Sequence, residues 1–209
     1  MKKRILLFGD SNTWGYISGS NAERYDEDTR WSGLLAKELG SEYVVIEEGH
    51  NGRTTVWDDP IENRMSGLNY LWPCLESQAP LDLVVFMLGS NNLKTYFPNT
   101  PEDIRDSMAR LLDVTASSPF GREHKAPPVM IMAPILVKAV PHEPSFGPRA
   151  EEDSKRLGPL YEQLAKERGI PFLNAADYAW PDMRDGIHIA LECHAPLAAA
   201  IAAKIREII

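Results

Sequence analysis

Cysteine is scarce in this sequence: Cys74 and Cys193 are the only two in 209 residues, and they stand in no metal-type spacing. They read as free thiols of a reducing compartment, with a single bridge between them left open. Basic charge is also in the minority, since 22 Lys and Arg face 30 Asp and Glu for a net charge of −8. No basic cluster is longer than Lys2-Lys3-Arg4. That balance argues against a nucleic-acid groove or an anionic membrane surface as partner and leaves small uncharged or cationic molecules as the expectation. Long apolar runs are missing too. Ile5-Leu6-Leu7-Phe8 stops at Gly9-Asp10, too short for a signal-peptide core, and no run reaches the length of a membrane span. A cytoplasmic protein is expected. Low-complexity tracts, internal repeats and linkers are absent as well, so one domain over residues 1–209 is the expectation, long enough to bury a core without staples.

What is present alternates. Short apolar runs at Ile5–Phe8, Tyr43–Ile46, Leu83–Met87, Val129–Met132 and Pro171–Leu173 read as strands covered on both faces. Between them, Ile104, Met108, Leu111 and Leu112 recur at helical spacing, as do Leu157, Leu160, Tyr161 and Leu164. Thr100-Pro101-Glu102-Asp103 has the form of a helix start, and Gly169 before Pro171 that of a helix end. A last helix is expected over Ala195–Ile209, with Leu197, Ile201 and Ile205 against the sheet. The alternation predicts an α/β fold: a three-layer sandwich around a five-stranded parallel sheet, flavodoxin-like. Three segments fall outside the alternation and read as functional rims or interfaces: Tyr16–Asp28, Ser117–Pro128 and Leu136–Arg149.

In such a sheet, ligands meet the loops at the carboxyl ends of the strands. Ser11 follows the first strand directly and is a candidate nucleophile, but a serine hydroxyl needs a base. Asp185-Gly186-Ile187-His188 supplies one, because a carboxylate three residues before an imidazole can hold its Nδ1–H while Nε2 takes the serine proton. His50, His124, His142 and His194 have no acid placed in this way, and His194 reads as structural or rim. Candidate oxyanion donors are Ser11, Gly52 and Asn91, each typically worth about 3–4 kcal/mol of barrier. Trp14 and Tyr16 are the candidates for lining the substrate pocket. Glycine, asparagine and serine after a strand are also ordinary turn residues, Asp185 and His188 are at home in surface loops, and aromatic residues more often belong to a core or interface; the coincidence of four loops at one sheet edge is what carries the reading. No ligand set suggests a metal, and no cofactor is expected.

These residues resemble the SGNH (GDSL-type) hydrolases. Gly9-Asp10-Ser11-Asn12-Thr13-Trp14-Gly15 looks like the first block of that family, with asparagine where leucine often stands. Glu47-Glu48-Gly49-His50-Asn51-Gly52-Arg53-Thr54-Thr55 is similar to the second, Gly89-Ser90-Asn91-Asn92 to the third and Asp185-Gly186-Ile187-His188 to the last. The wording around the blocks resembles the bacterial arylesterase and acyltransferase branch. The resemblance implies Ser11 as nucleophile, His188 as base, Asp185 as its orienting acid, and the three oxyanion donors already named. It implies hydrolysis of short-chain or aryl esters, acyl transfer to alcohols or perhydrolysis in some members, carbohydrate acetylesterase activity in others, and assembly as a homo-oligomer. One departure stands out: Asn92 occupies a position that is usually aspartate and mainly braces its loop. It keeps the shape and one acceptor oxygen without the charge.

Competing readings are weaker. A phosphate-transferring enzyme lacks the second aspartate for magnesium, and a flavin phosphate would be repelled by Asp10. The Gly-x-Ser-x-Gly elbow of an α/β-hydrolase is absent. A non-catalytic binding or assembly protein has no need to retain all three triad candidates.

Overall fold

Five aliphatic runs lie side by side as a parallel sheet in the computed structural model, which describes residues Met1–Ile209. They are β1 (Lys3–Gly9), β2 (Tyr43–Gly49), β3 (Leu83–Met87), β4 (Val129–Ala133) and β5 (Phe172–Asn174), in the order β2-β1-β3-β4-β5, with every pairing parallel. A one-turn helix α1 (Ser11–Trp14) follows β1 at once. The longer helices are α2 (Trp31–Leu39), α3 (Gly67–Gln78), α4 (Pro101–Ala116), α5 (Pro148–Arg168) and α6 (His194–Ile208).

The two-residue pleat sorts each strand between two cores. Ile5, Leu7, Val85, Met130 and Met132 pack with Trp31 and Leu35 of α2 and Leu197, Ile201 and Ile205 of α6. Leu6, Phe8, Val84, Phe86 and Ile131 pack with Leu71 of α3, Met108 and Leu111 of α4, and Leu157 and Leu164 of α5. The sheet is therefore covered on both faces, as expected. Cys74 and Cys193 are buried free thiols in different cores, on opposite sides of the sheet.

Three local differences from the sequence reading have physical causes. β2 extends beyond Ile46 through Glu47, Glu48 and Gly49, because its ladder continues opposite Leu7, Phe8 and Gly9 of β1. As an edge strand it is half-buried throughout and tolerates those carboxylates. Helix α3 carries Pro73 in its interior, which hides it from a pattern search that treats proline as a stop. The segment from Arg53 to Met65 is a fourth long loop beside the three expected ones, closed by an Asp59–Arg64 bridge.

The chain runs from β1 to β2 on one side and then to β3 on the other. The loops after β1 and β3 diverge there and open a crevice at the carboxyl edge. Gly9, Gly49 and Met87 stand abreast at that edge, so residues 10–12, 50–53 and 89–92 leave from neighbouring points. No helix is long and apolar enough to cross a membrane.

Candidate active site

Ser11 opens α1, and Asp10 caps that turn by accepting the Asn12 N–H at 2.9 Å. The Ser11 side chain is almost buried, and its Oγ lies 2.9 Å from Nε2 of His188. Nδ1 of His188 lies 2.7 Å from Oδ2 of Asp185. With Asp185 ionised, Nδ1 carries the ring proton and Nε2 is free to accept the serine proton. Burial opposes ionisation of Asp185. The hydrogen bond from His188, with the main-chain N–H groups of His188 and Ile187, outweighs it and holds the carboxyl well below the usual carboxylate range. Gly186 makes this tight loop possible: its φ is +74°, and a Cβ there would lie 2.0 Å from the carbonyl of Lys138. The His188 ring also stacks on Tyr16, with centroids 4.2 Å apart.

Gly52 and Asn91 face the same cleft of about 270 Å³ as Ser11 and His188. Gly52 sits in a turn at φ +77°, where an added Cβ would come within 2.9 Å of the Arg64 side chain. Asn91 belongs to a 3-10 turn (Ser90–Leu93), and its Nδ2 donates to the Arg53 carbonyl at 3.2 Å and to Oδ2 of Asp10 at 3.4 Å. That carboxyl of Asp10 is pushed up to about 6 by burial, against the opposing Asn12 N–H and nearby positive charge. Asn92, beside it, is fully buried; its Oδ1 accepts the Thr55 N–H at 3.1 Å, while its Nδ2 has no partner. The oxygen that an aspartate would offer is thus kept in use.

Of the two aromatic candidates for the pocket, the structure brings only Tyr16 to the cleft. Trp14 lies one ring further out, 6.2 Å from Tyr16 and under the Arg24 guanidinium, so it flanks the wall rather than forming it. His194 is structural: buried in the α2–α6 core, it accepts the Trp31 N–H on Nδ1 at 3.1 Å.

Sequence reasoning missed two groups. Arg53 is buried over the Phe8 ring, 4.3 Å from its centroid, and donates to the carbonyls of Gly9 and Glu48 at the ends of β1 and β2. It was visible only as a letter of the second block. Lys94 is buried and pairs with Asp59 at 2.9 Å and Glu62 at 2.5 Å. Burial alone would raise Asp59, but the Tyr96 hydroxyl, the Glu62 N–H and Lys94 hold its carboxyl down at about 2. Nothing local in the sequence links 59 to 94. Lys94, Glu62, Arg64 and Glu143 all line the cleft, together with apolar Phe146 and Ile187. A larger cleft of about 570 Å³ over β5, between α5 and α6, shares no residue with it.

Residues 7–195 match the model of the GDSL-like lipase/acylhydrolase family. No curated protein matches the chain. Among solved structures, the inhibitor-bound aryl esterase of M. smegmatis is 38% identical, with 99% of this chain and all of that one covered and a TM-score of 0.94. A carbohydrate acetylesterase from Sinorhizobium meliloti is 39% identical over the full length of both chains, also at 0.94. A second carbohydrate acetylesterase family member from that organism is 32% identical, covering 99% and 98%, at 0.89.

Proposed function

The chain belongs to the GDSL-like lipase/acylhydrolase family, and from that membership we propose that it is a serine esterase acting on short-chain acyl or aryl esters. The observation that carries the reading is the unbroken relay of 2.9 Å from Ser11 to His188 and 2.7 Å from His188 to Asp185, opening on a cleft with Gly52 and Asn91. Ser11 Oγ attacks the ester carbonyl as His188 Nε2 takes its proton. The oxyanion that develops is met by the N–H groups of Ser11 and Gly52 and by the Nδ2–H of Asn91 that turns to it from the longer contact, 3.4 Å, with Asp10. Removing one such donor costs about 3–4 kcal/mol of barrier. His188 returns the proton to the leaving alkoxide, and the acyl-enzyme is released to water or, in acyl transfer, to another alcohol. Asp185 stays ionised throughout and stabilises the imidazolium.

The cleft favours small polar esters. Four charged side chains in about 270 Å³ leave little apolar wall for a long acyl chain, whose methylenes would each forgo about 0.8 kcal/mol of burial. The same charges favour a second reading, an acetylated carbohydrate, because Glu62, Arg64, Lys94 and Glu143 can hydrogen-bond its hydroxyls. Cytoplasmic location and homo-oligomeric assembly belong to the proposal as well. Ser11→Ala tests the core of it: turnover of a chromogenic acetate ester should vanish while the melting temperature holds. Full residual activity in that variant would remove Ser11 from the mechanism.

A further inference from the structure

We propose that Asn12 is a positioning residue that holds His188 in line with Ser11, an inference that rests on reading those two as base and nucleophile. Its buried side chain reaches across the site to the base-bearing loop. Nδ2 donates to the carbonyl of Ile187 at 3.2 Å, and Oδ1 accepts the N–H of Ile189 at 2.9 Å. One amide thus grips the main chain immediately before and immediately after His188.

The position of the amide is itself fixed. The Asn12 N–H is held by Asp10 Oδ1, and its carbonyl accepts the indole N–H of Trp31 at 2.8 Å. Because Asn12 follows Ser11 in the same turn, a shift of one loop against the other must stretch these bonds. Asp185 cannot take this role. Its hydrogen bonds go to Ile187 N, His188 N and His188 Nδ1, all inside its own loop, so they set the rotation of the ring and not its distance from Ser11. The Lys138 N–H that binds the Gly186 carbonyl ties that loop to a different segment. Leucine at position 12 would match the volume but leave the Ile187 carbonyl and Ile189 N–H without this partner, and a displacement of about 1 Å in a reacting group costs on the order of 100-fold in rate.

The test compares Asn12→Leu, Asn12→Asp and Ser11→Ala with the unaltered protein on p-nitrophenyl acetate. Active sites are counted by labelling with a fluorophosphonate to completion and weighing the intact protein, so that misfolded material drops out of kcat. For Asn12→Leu, kcat per labelled site should fall about 10–100-fold with KM within about twofold, because alignment and not substrate binding is lost. Asn12→Asp keeps shape and the acceptor for Ile189 N–H, and should fall between the two. A purely structural Asn12 would lower the number of labelled sites and leave kcat per site unchanged, which overturns the inference. Should Asn12→Leu yield no folded protein, the same comparison on the isosteric Asn12→Asp decides it. Ser11→Ala separates the levels: if it retains full turnover the underlying reading fails, whereas an inactive Ser11→Ala beside an unimpaired Asn12→Leu rejects Asn12 alone.

Discussion

Arg53 binds together the three chain ends from which the proposed oxyanion donors leave. Its guanidinium holds the Gly9 and Glu48 carbonyls, its own carbonyl accepts from Asn91, and it directly follows Gly52. Arg53→Met should therefore lower kcat more than it raises KM, and lower stability by about 2–4 kcal/mol, since the buried Gly9 carbonyl and the half-buried Glu48 carbonyl lose a charged donor. Steady-state kinetics beside chemical denaturation checks both, with Arg53→Lys expected to recover part of each. Asp185→Asn leaves the loop's shape but favours the wrong tautomer of His188, and kcat should fall by about 10⁴-fold with little change in KM. At this scale the sequence is legible wherever partners are neighbours in the chain. Asp185 and His188 are three residues apart, so their pairing follows from spacing. Arg53 with Gly9, or Lys94 with Asp59, meet only because strands and loops remote in sequence converge, and no local pattern announces them.

Helix α2 starts at an unusual cap. Its N-cap residue, Arg30, makes no side-chain cap bond, and the neutral imidazole of His194 from the start of α6 accepts the Trp31 N–H in its place. Burial pushes His194 down to about 4 from an ordinary 6.5. Between those values the unfolded chain binds a proton that the folded chain excludes. This contribution therefore weakens as pH falls from about 6.5 to 4, by at most about 1.4 kcal/mol per pH unit. Asp10 acts oppositely: its carboxyl, raised from 3.8 to about 6, makes the folded state the better proton binder in that range and adds stability as pH falls. Denaturation of His194→Gln and the unaltered protein between pH 4 and 7 isolates the first effect. The unaltered protein should lose ground to the variant on acidification; parallel curves would refute the lowered titration of the buried His194. Among the elements, α4 was plain from Thr100 and Asp103, which do form a reciprocal capping box. α3 was hidden by Pro73, and the end of β2 by carboxylates that only an edge strand tolerates.

For the whole molecule, alternation of buried runs with amphipathic ones was enough to specify a parallel sheet covered on both faces, because a strand with apolar residues on both sides has few other places to go. The long loops resisted the same treatment. Residues 53–65 carry Glu62 and Arg64 into the cleft and bury Asp59 against Lys94, through pairs remote in sequence rather than periodicity, so the charged wall came only from the structure. A rate series from acetate to decanoate should show kcat/KM falling steeply beyond the shortest acyl groups. Equal rates along the series would contradict the polar cleft. The most direct test of the account is the site of covalent attachment. Incubation with a fluorophosphonate followed by peptide mass analysis should place one label per chain on the peptide bearing Ser11, with esterase activity lost in proportion to labelling. Stoichiometric labelling elsewhere, or full activity in protein labelled at Ser11, would contradict it.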